Sequence, residues 1–312
     1  MTFSSDNPPE NPAPGPKPAD AVPVWGRAPS PVQAEQSSAD AGGHSDAGFT
    51  LADGHPSDAP PSSLPPAPPP DPVWTGWDVL RLVFLSIVAL FAGVLAVLII
   101  ARVWVYPHRG LAEIARVPLV IVAGQSLAYL LILAYMYILV TRERRRPDFL
   151  AAVHWNWPSN TAMYVFAGFA LSLALQGLAH LLPMPKELPI DSFFKTPAEA
   201  WALGILSVTL APLMEELFFR GFLYPVLARR LGLPIAVFLT ALGFALLHGA
   251  QLMFSWGPVL VIFLVGTILT MVRARTNSVA AGVLIHMAYN ATIAVAMFVA
   301  TDGFRHLEKL NQ

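Results

Sequence analysis

Seven apolar runs, each long enough to cross a bilayer, succeed one another along the last three quarters of the chain: 79–103, 117–140, 161–182, 199–224, 234–254, 257–273 and 278–300. A span takes roughly 20 mostly apolar residues. Hydrocarbon offers no partner to a peptide N–H or C=O, so only a helix satisfies every backbone group within such a run. The runs therefore dictate an all-α, polytopic transmembrane helical bundle. Composition agrees, with 55% hydrophobic and 12% charged residues and a mean hydropathy of +0.55. A soluble domain carries roughly a quarter charged residues. The loops are short and rich in Pro, Asn or charge, which makes neighbouring helices antiparallel. Trp74 and Trp77 precede the first run, where amphipathic rings suit the headgroup level. The fourth run is overlong, with helix-compatible sequence from Pro197 to Arg230, so tilt or an interfacial turn must absorb the excess.

Residues 1–72 form a separate region rich in Pro, Ala, Ser, Gly and Asp. Such a stretch buries too little apolar surface to offset the entropy of ordering and is expected to be disordered. It reads either as a solvated tail or as a ligand for a proline-binding module, and the membrane domain is 73–312. A net charge of −1 gives no attraction to nucleic acid, so the expected surroundings are the lipid bilayer. The absence of cysteine excludes disulfides, thiolate nucleophiles and cysteine-ligated metals. No basic segment followed by an apolar core opens the chain, so no cleavable signal peptide is expected. Arg142, Arg144, Arg145 and Arg146, then Arg229 and Arg230, then Arg273 and Arg275 lie in loops on the side of the amino terminus. Arg102, Arg109, Arg116, Lys186, Lys195, Arg305 and Lys309 are scattered on the other. This bias predicts a cytoplasmic amino terminus.

Against this apolar background the ionisable residues within the runs stand out. Each costs about 2.5–3.5 kcal/mol at a helix centre on insertion scales, so each is a functional hypothesis by default. The fourth run holds Glu215, Glu216 and Arg220. Glu216 and Arg220, four residues apart, share a helix face and can pair, which reads as structural support. Glu215 is rotated by ~100° and faces something else. Pro212, just upstream, removes a helical hydrogen bond and predicts a kink. The fifth run carries His248, and the seventh carries His286 and Asn290 on one face. From the amino-terminal side of the membrane, Glu215 and His248 lie at a depth of roughly 21 Å, Asn290 roughly 18 Å and His286 roughly 12 Å. Three separate runs thus deliver polar groups to neighbouring layers. Taken singly, His248 also reads as a satisfied core residue and Asn290 as helix–helix glue. Met214, Phe218 and Phe219 read as packing, while His108, His180 and His306 lie near helix ends and take no role.

Such a set suits amide hydrolysis. Desolvation makes a carboxylate a better general base, an imidazole can hold water or shuttle its proton, and an imidazole with an amide can donate to an oxyanion. Glu215 with His248 would activate water, and His286 with Asn290 would stabilise the oxyanion. Zinc is a competing cofactor, since two His and a Glu can bind it, but neither HExxH nor a pair of His at helical spacing occurs, so no cofactor is expected. An ion-coupled transporter would also bury Glu and His, yet it predicts interrupted helices in two related halves, and no internal repeat is visible. A noncatalytic scaffold accounts for the tail and the spans but not for the shared depth.

Glu215-Glu216-x-x-x-Arg220, Phe244-x-x-x-His248 and His286-x-x-x-Asn290 resemble, in this order, the three motifs of the CAAX prenyl endopeptidase and bacteriocin-processing family of intramembrane glutamic proteases. The resemblance covers about 197–300. It implies a helical bundle around a membrane-embedded cavity, with Glu215 as base, His248 assisting, His286 and Asn290 as oxyanion donors, and Glu216 and Arg220 in support. It implies an intramembrane endopeptidase acting on a peptide or membrane-protein substrate, without naming that substrate.

Overall fold

Each apolar run folds as a helix in the computed structural model of the protein, which describes residues 71–185 and 194–308. In chain order the α-helices are α1 (Gly76–Ile100), α2 (Leu111–Ile114), α3 (Pro118–Ile138), α4 (Phe149–Ala152), α5 (Thr161–Ala179), α6 (Pro197–Val208), α7 (Leu210–Glu216), α8 (Tyr224–Leu231), α9 (Leu233–Leu247), α10 (Trp256–Thr276) and α11 (Val279–Ala300). Helix α1 runs on as π-helix through Val105, α3 through Glu143, and a π-helical stretch Leu217–Leu223 joins α7 to α8. Among the described residues, six helical segments are long and apolar enough to cross a membrane, and the seventh run is the shorter apolar α9. No strand occurs among the described residues. The protein is a multi-pass helical membrane protein. The expectation of disorder over 1–72 falls, apart from Asp71 and Pro72, outside the described residues.

Local chemistry starts the helices where the sequence supplies it. Thr75 and Asp78 form a capping box at α1, Thr196 and Glu199 another at α6, and Pro118 and Pro197 occupy first turns where an N–H is not needed. Asn160 caps α5 and Ser278 caps α11 through side-chain oxygens.

Packing follows membrane rules, in which small residues let backbones approach because burying apolar surface offers no gain over lipid. At the α1–α3 contact, a Cβ on Gly93 would come within 2.6 Å of the Gly124 carbonyl oxygen, and one on Gly124 within 2.7 Å of Val94 Cα. The outer face of α1, with Leu80, Phe84, Ile87 and Phe91, stays exposed as a lipid-facing surface should. Helix α11 lies at the centre, packed on α5, α6 and α10. Its first turns are buried from Val279 to Val283, with small residues Ala280, Ala281 and Gly282 between them.

Contacts at one end of the bundle gather the segments assigned to one side of the membrane. His154 Nε2 lies 2.9 Å from Asp71, and its Nδ1 lies 3.1 Å from the Asn277 amide. Arg229 donates to the carbonyls of Pro72 and Trp74. Trp77 is exposed, as an interfacial ring should be, but Trp74 is not: its ring is buried, stacks on Phe222 at 4.6 Å, and donates from Nε1 to the Phe222 carbonyl. That carbonyl sits in the π-helical stretch Leu217–Leu223, where an indole N–H can reach it.

Candidate active site

The long fourth span breaks in two at Thr209, whose backbone (φ −117°, ψ −84°) leaves the helix. Pro212 explains the position. It has no N–H for the Val208 carbonyl four residues earlier, and its ring crowds that carbonyl, so the bend falls upstream of the proline. Helix α7 is then short and ends at Glu216, and the π-helical stretch that follows is a form frequent at functional sites.

The two consecutive glutamates meet different surroundings. Glu216 is fully buried and receives Arg220 Nη1 at 2.8 Å on Oε1. Arg220, equally buried, also donates to Thr270 Oγ1 (3.2 Å) and the Gly266 carbonyl (2.9 Å) on α10, and its guanidinium lies over the Phe244 ring at 4.7 Å. Burying this pair costs desolvation that hydrogen bonds on both partners offset, so it pins α7, α9 and α10 together rather than supplying a free charge. The side chain of Glu215 remains 15% exposed. It faces a cavity of about 320 Å³ whose lining includes His248, His286 and Asn290. Its two oxygens lie 3.8 Å from His248 Nε2 and 3.7 Å from His286 Nε2. Both separations are longer than a direct hydrogen bond.

Each imidazole is fixed through its other nitrogen. His248 is the residue at which α9 ends, not a mid-helix residue of a 234–254 span: the chain turns through Gly249–Leu252 and two residues of positive φ, Met253 and Phe254, before α10. Its Nδ1 lies 2.9 Å from the Phe244 carbonyl, which can only accept, so Nδ1 carries the proton. His286 places Nδ1 3.0 Å from Glu216 Oε1, and donation to that carboxylate puts the proton on Nδ1 there too. Both rings thus turn Nε2 toward Glu215. Phe244 separates them, with its ring 4.8 Å from His248 and 5.7 Å from His286.

Asn290 donates from Nδ2 to the Ser207 carbonyl at 2.7 Å, on the last turn of α6 before the break. That bond orients the amide and leaves its second hydrogen for the cavity. All four residues singled out from the sequence thus line one cavity, and the two supporting residues lie behind it. Gly282, one turn before His286, passes so close that a Cβ there would come within 2.7 Å of Glu216 Oε2. Among the described residues, no group of three or more His, Cys, Asp and Glu side chains is arranged to hold a metal ion.

Reading the sequence gave no role to the first three spans, yet Gln125 and Tyr129 of α3 also line the cavity. The signal available was faint: Gln125 and Tyr129 lie four residues apart in an uncharged span that also holds Ser126, Tyr135 and Tyr137. Comparisons with curated proteins and with solved structures found no match. Residues 197–292, from α6 into the second half of α11, where this site lies, match the model of the family described as type II CAAX prenyl endopeptidase Rce1-like.

Proposed function

We propose that the protein is an intramembrane endopeptidase that hydrolyses a peptide bond with water activated by Glu215. The observation that carries this reading is the pairing of unlike glutamates: Glu216 is locked to Arg220, whereas Glu215 opens on the cavity between two Nε2 atoms. A water on Glu215 gives one hydrogen to the carboxylate and directs the other at the lone pair of His248 Nε2. As Glu215 takes the first proton, the water oxygen bonds to the carbonyl carbon and the C=O π pair moves onto oxygen. The second amide hydrogen of Asn290 donates to that oxyanion. His286 joins it from Nε2 when its ring carries both protons, with the Glu216 carboxylate against Nδ1. Collapse of the intermediate re-forms the C=O bond and breaks C–N, and the proton held by Glu215 passes to the departing nitrogen. The products are a carboxylic acid and an amine, the acid passes its proton to the amine, and Glu215 is restored as a carboxylate.

The reading requires no resident metal, and it takes as substrate a peptide segment that reaches the apolar cavity from the membrane. The test is cleavage of a peptide library by purified protein and by Glu215→Gln. Gln keeps the shape and loses the base, so cleavage should fall below detection while folding is retained. A well-folded Glu215→Gln protein with full activity would refute the assignment.

A further inference from the structure

On the reading of Glu215 as the base, the cavity is short of donors. Glu215 accepts, and His286, whose Nδ1 is held by Glu216, donates from Nε2 only while its ring carries both protons. Asn290 has already given one of its two amide hydrogens to Ser207. That leaves one amide hydrogen fixed in place beside His286, whereas developing negative charge is usually met by two or more preorganised donors.

The wall formed by α3 supplies what is missing. Gln125 and Tyr129, one turn apart, share the face that lines the cavity. The Gln125 amide donates to the Tyr129 hydroxyl oxygen at 2.8 Å. This contact occupies a lone pair of the phenol and leaves its O–H for an acceptor elsewhere. Among the described residues no group takes it. An apolar membrane helix has no structural need for a phenol hydroxyl turned to a cavity, because its ring alone would satisfy packing against Met214 and its neighbours.

We propose that Tyr129 is a further catalytic residue, whose hydroxyl donates a hydrogen bond to the carbonyl oxygen of the scissile peptide as it becomes an oxyanion. Gln125 is its positioning residue: by donating to the phenol oxygen it turns the O–H away from α3 and toward the substrate. No proton leaves the phenol. Its bond to the carbonyl oxygen strengthens as charge develops and relaxes when C–N breaks. The second span is then part of the enzyme's chemistry and not only its scaffold.

The experiment measures kcat and KM for wild type, Tyr129→Phe, Gln125→Met and Glu215→Gln on one peptide, with thermal unfolding of each in the same detergent. A phosphonamidate analogue of that peptide, which mimics the tetrahedral intermediate, is titrated as inhibitor. Tyr129→Phe should lower kcat about 100-fold. KM should move by less than about threefold, because the bond matters mainly in the transition state, and inhibitor affinity should fall in step with kcat/KM. Gln125→Met keeps the phenol and loses its orientation, so it should fall between. Turnover of Tyr129→Phe within about twofold of wild type, beside an inactive Glu215→Gln, would overturn the role of Tyr129 and leave Glu215 standing. An active Glu215→Gln would instead refute the reading on which this rests. Should Tyr129→Phe fail to fold, Gln125→Met decides: wild-type turnover overturns the proposal, and a loss confined to kcat and to inhibitor affinity supports it.

Discussion

Replacing Glu216 with Gln separates the two glutamates most sharply, because the consequence is set by what lies around Arg220. Arg220 is fully buried and would keep its bonds to Thr270 and the Gly266 carbonyl while losing the carboxylate it pairs with. Leaving one member of a buried ion pair uncompensated costs about 3–5 kcal/mol. The retained bonds and the amide oxygen of Gln place this case near the lower bound, at about 3 kcal/mol, or roughly two decades in the unfolding equilibrium. The assay is equilibrium unfolding in mixed micelles, followed by tryptophan fluorescence, to which the buried Trp74 contributes. A double variant, Glu216→Leu with Arg220→Met, removes both charges in similar volume and should regain most of that stability. It should not regain activity, since His286 Nδ1 loses the carboxylate that fixes its ring. A single-variant cost below about 1 kcal/mol would show that the pair does not hold the core. Recovery of turnover in the double variant would show that Glu216 does not orient His286.

The other expectations follow from contacts of the same kind. Gly282→Ala pushes a Cβ against Glu216 Oε2 and should cost about 1–3 kcal/mol, read in the same unfolding assay, with a matching loss of turnover. Removal of residues 1–70 should leave cleavage of a short peptide unchanged, whereas Trp74→Ala, which empties a buried, hydrogen-bonded site on Phe222, should cost about 3–5 kcal/mol. Since the sequence contains no cysteine, a single Arg145→Cys reports sidedness, and it should react with an impermeant maleimide only when the cytoplasmic face is open. Asn290→Ala should lower turnover about 100-fold with little change in KM, and wild-type activity should survive prolonged chelation. Stoichiometric zinc, with activity lost on chelation and restored by zinc, would replace the glutamate reading with a metal one.

The helices were legible because lipid imposes a single rule on backbone polar groups, and a run of apolar residues has almost no other way to obey it. The same rule made Glu215, Glu216, Arg220, His248, His286 and Asn290 conspicuous, and their depths along alternating helices were enough to expect a common layer. Rotation was harder to read. Ideal helical geometry puts Glu216 one turn from Arg220, which is how they pair, but it has nothing to say about His286, which reaches Glu216 with one nitrogen and faces Glu215 with the other. Nor does it locate the break at Thr209, where the loss of one N–H at Pro212 is felt a turn away. Trp74 is a second such case: sequence gave it an interfacial ring, and only the carbonyl of Phe222 explains its burial.

Donors and acceptors are the part of this site that sequence conceals most completely. A histidine reads as either until a neighbour fixes its proton, and here the neighbours are a backbone carbonyl and a glutamate 70 residues away. With both Nδ1 atoms held by acceptors, donation from an imidazole Nε2 requires a ring that carries both protons, so a donor fixed elsewhere in the wall would add to the site. Asn290 offers one hydrogen because Ser207 holds the other. The α3 pair, Gln125 and Tyr129, lies outside the segment that resembles a known family, and neither residue is ionised at neutral pH, so neither draws notice in an apolar span. Their place in the cavity follows from the packing of α3 against α6 and α7, which glycine contacts with α1 on its other side allow. A family match limited to the motif-bearing helices can therefore cover Glu215, His248, His286 and Asn290 and still omit a wall of the cavity they line.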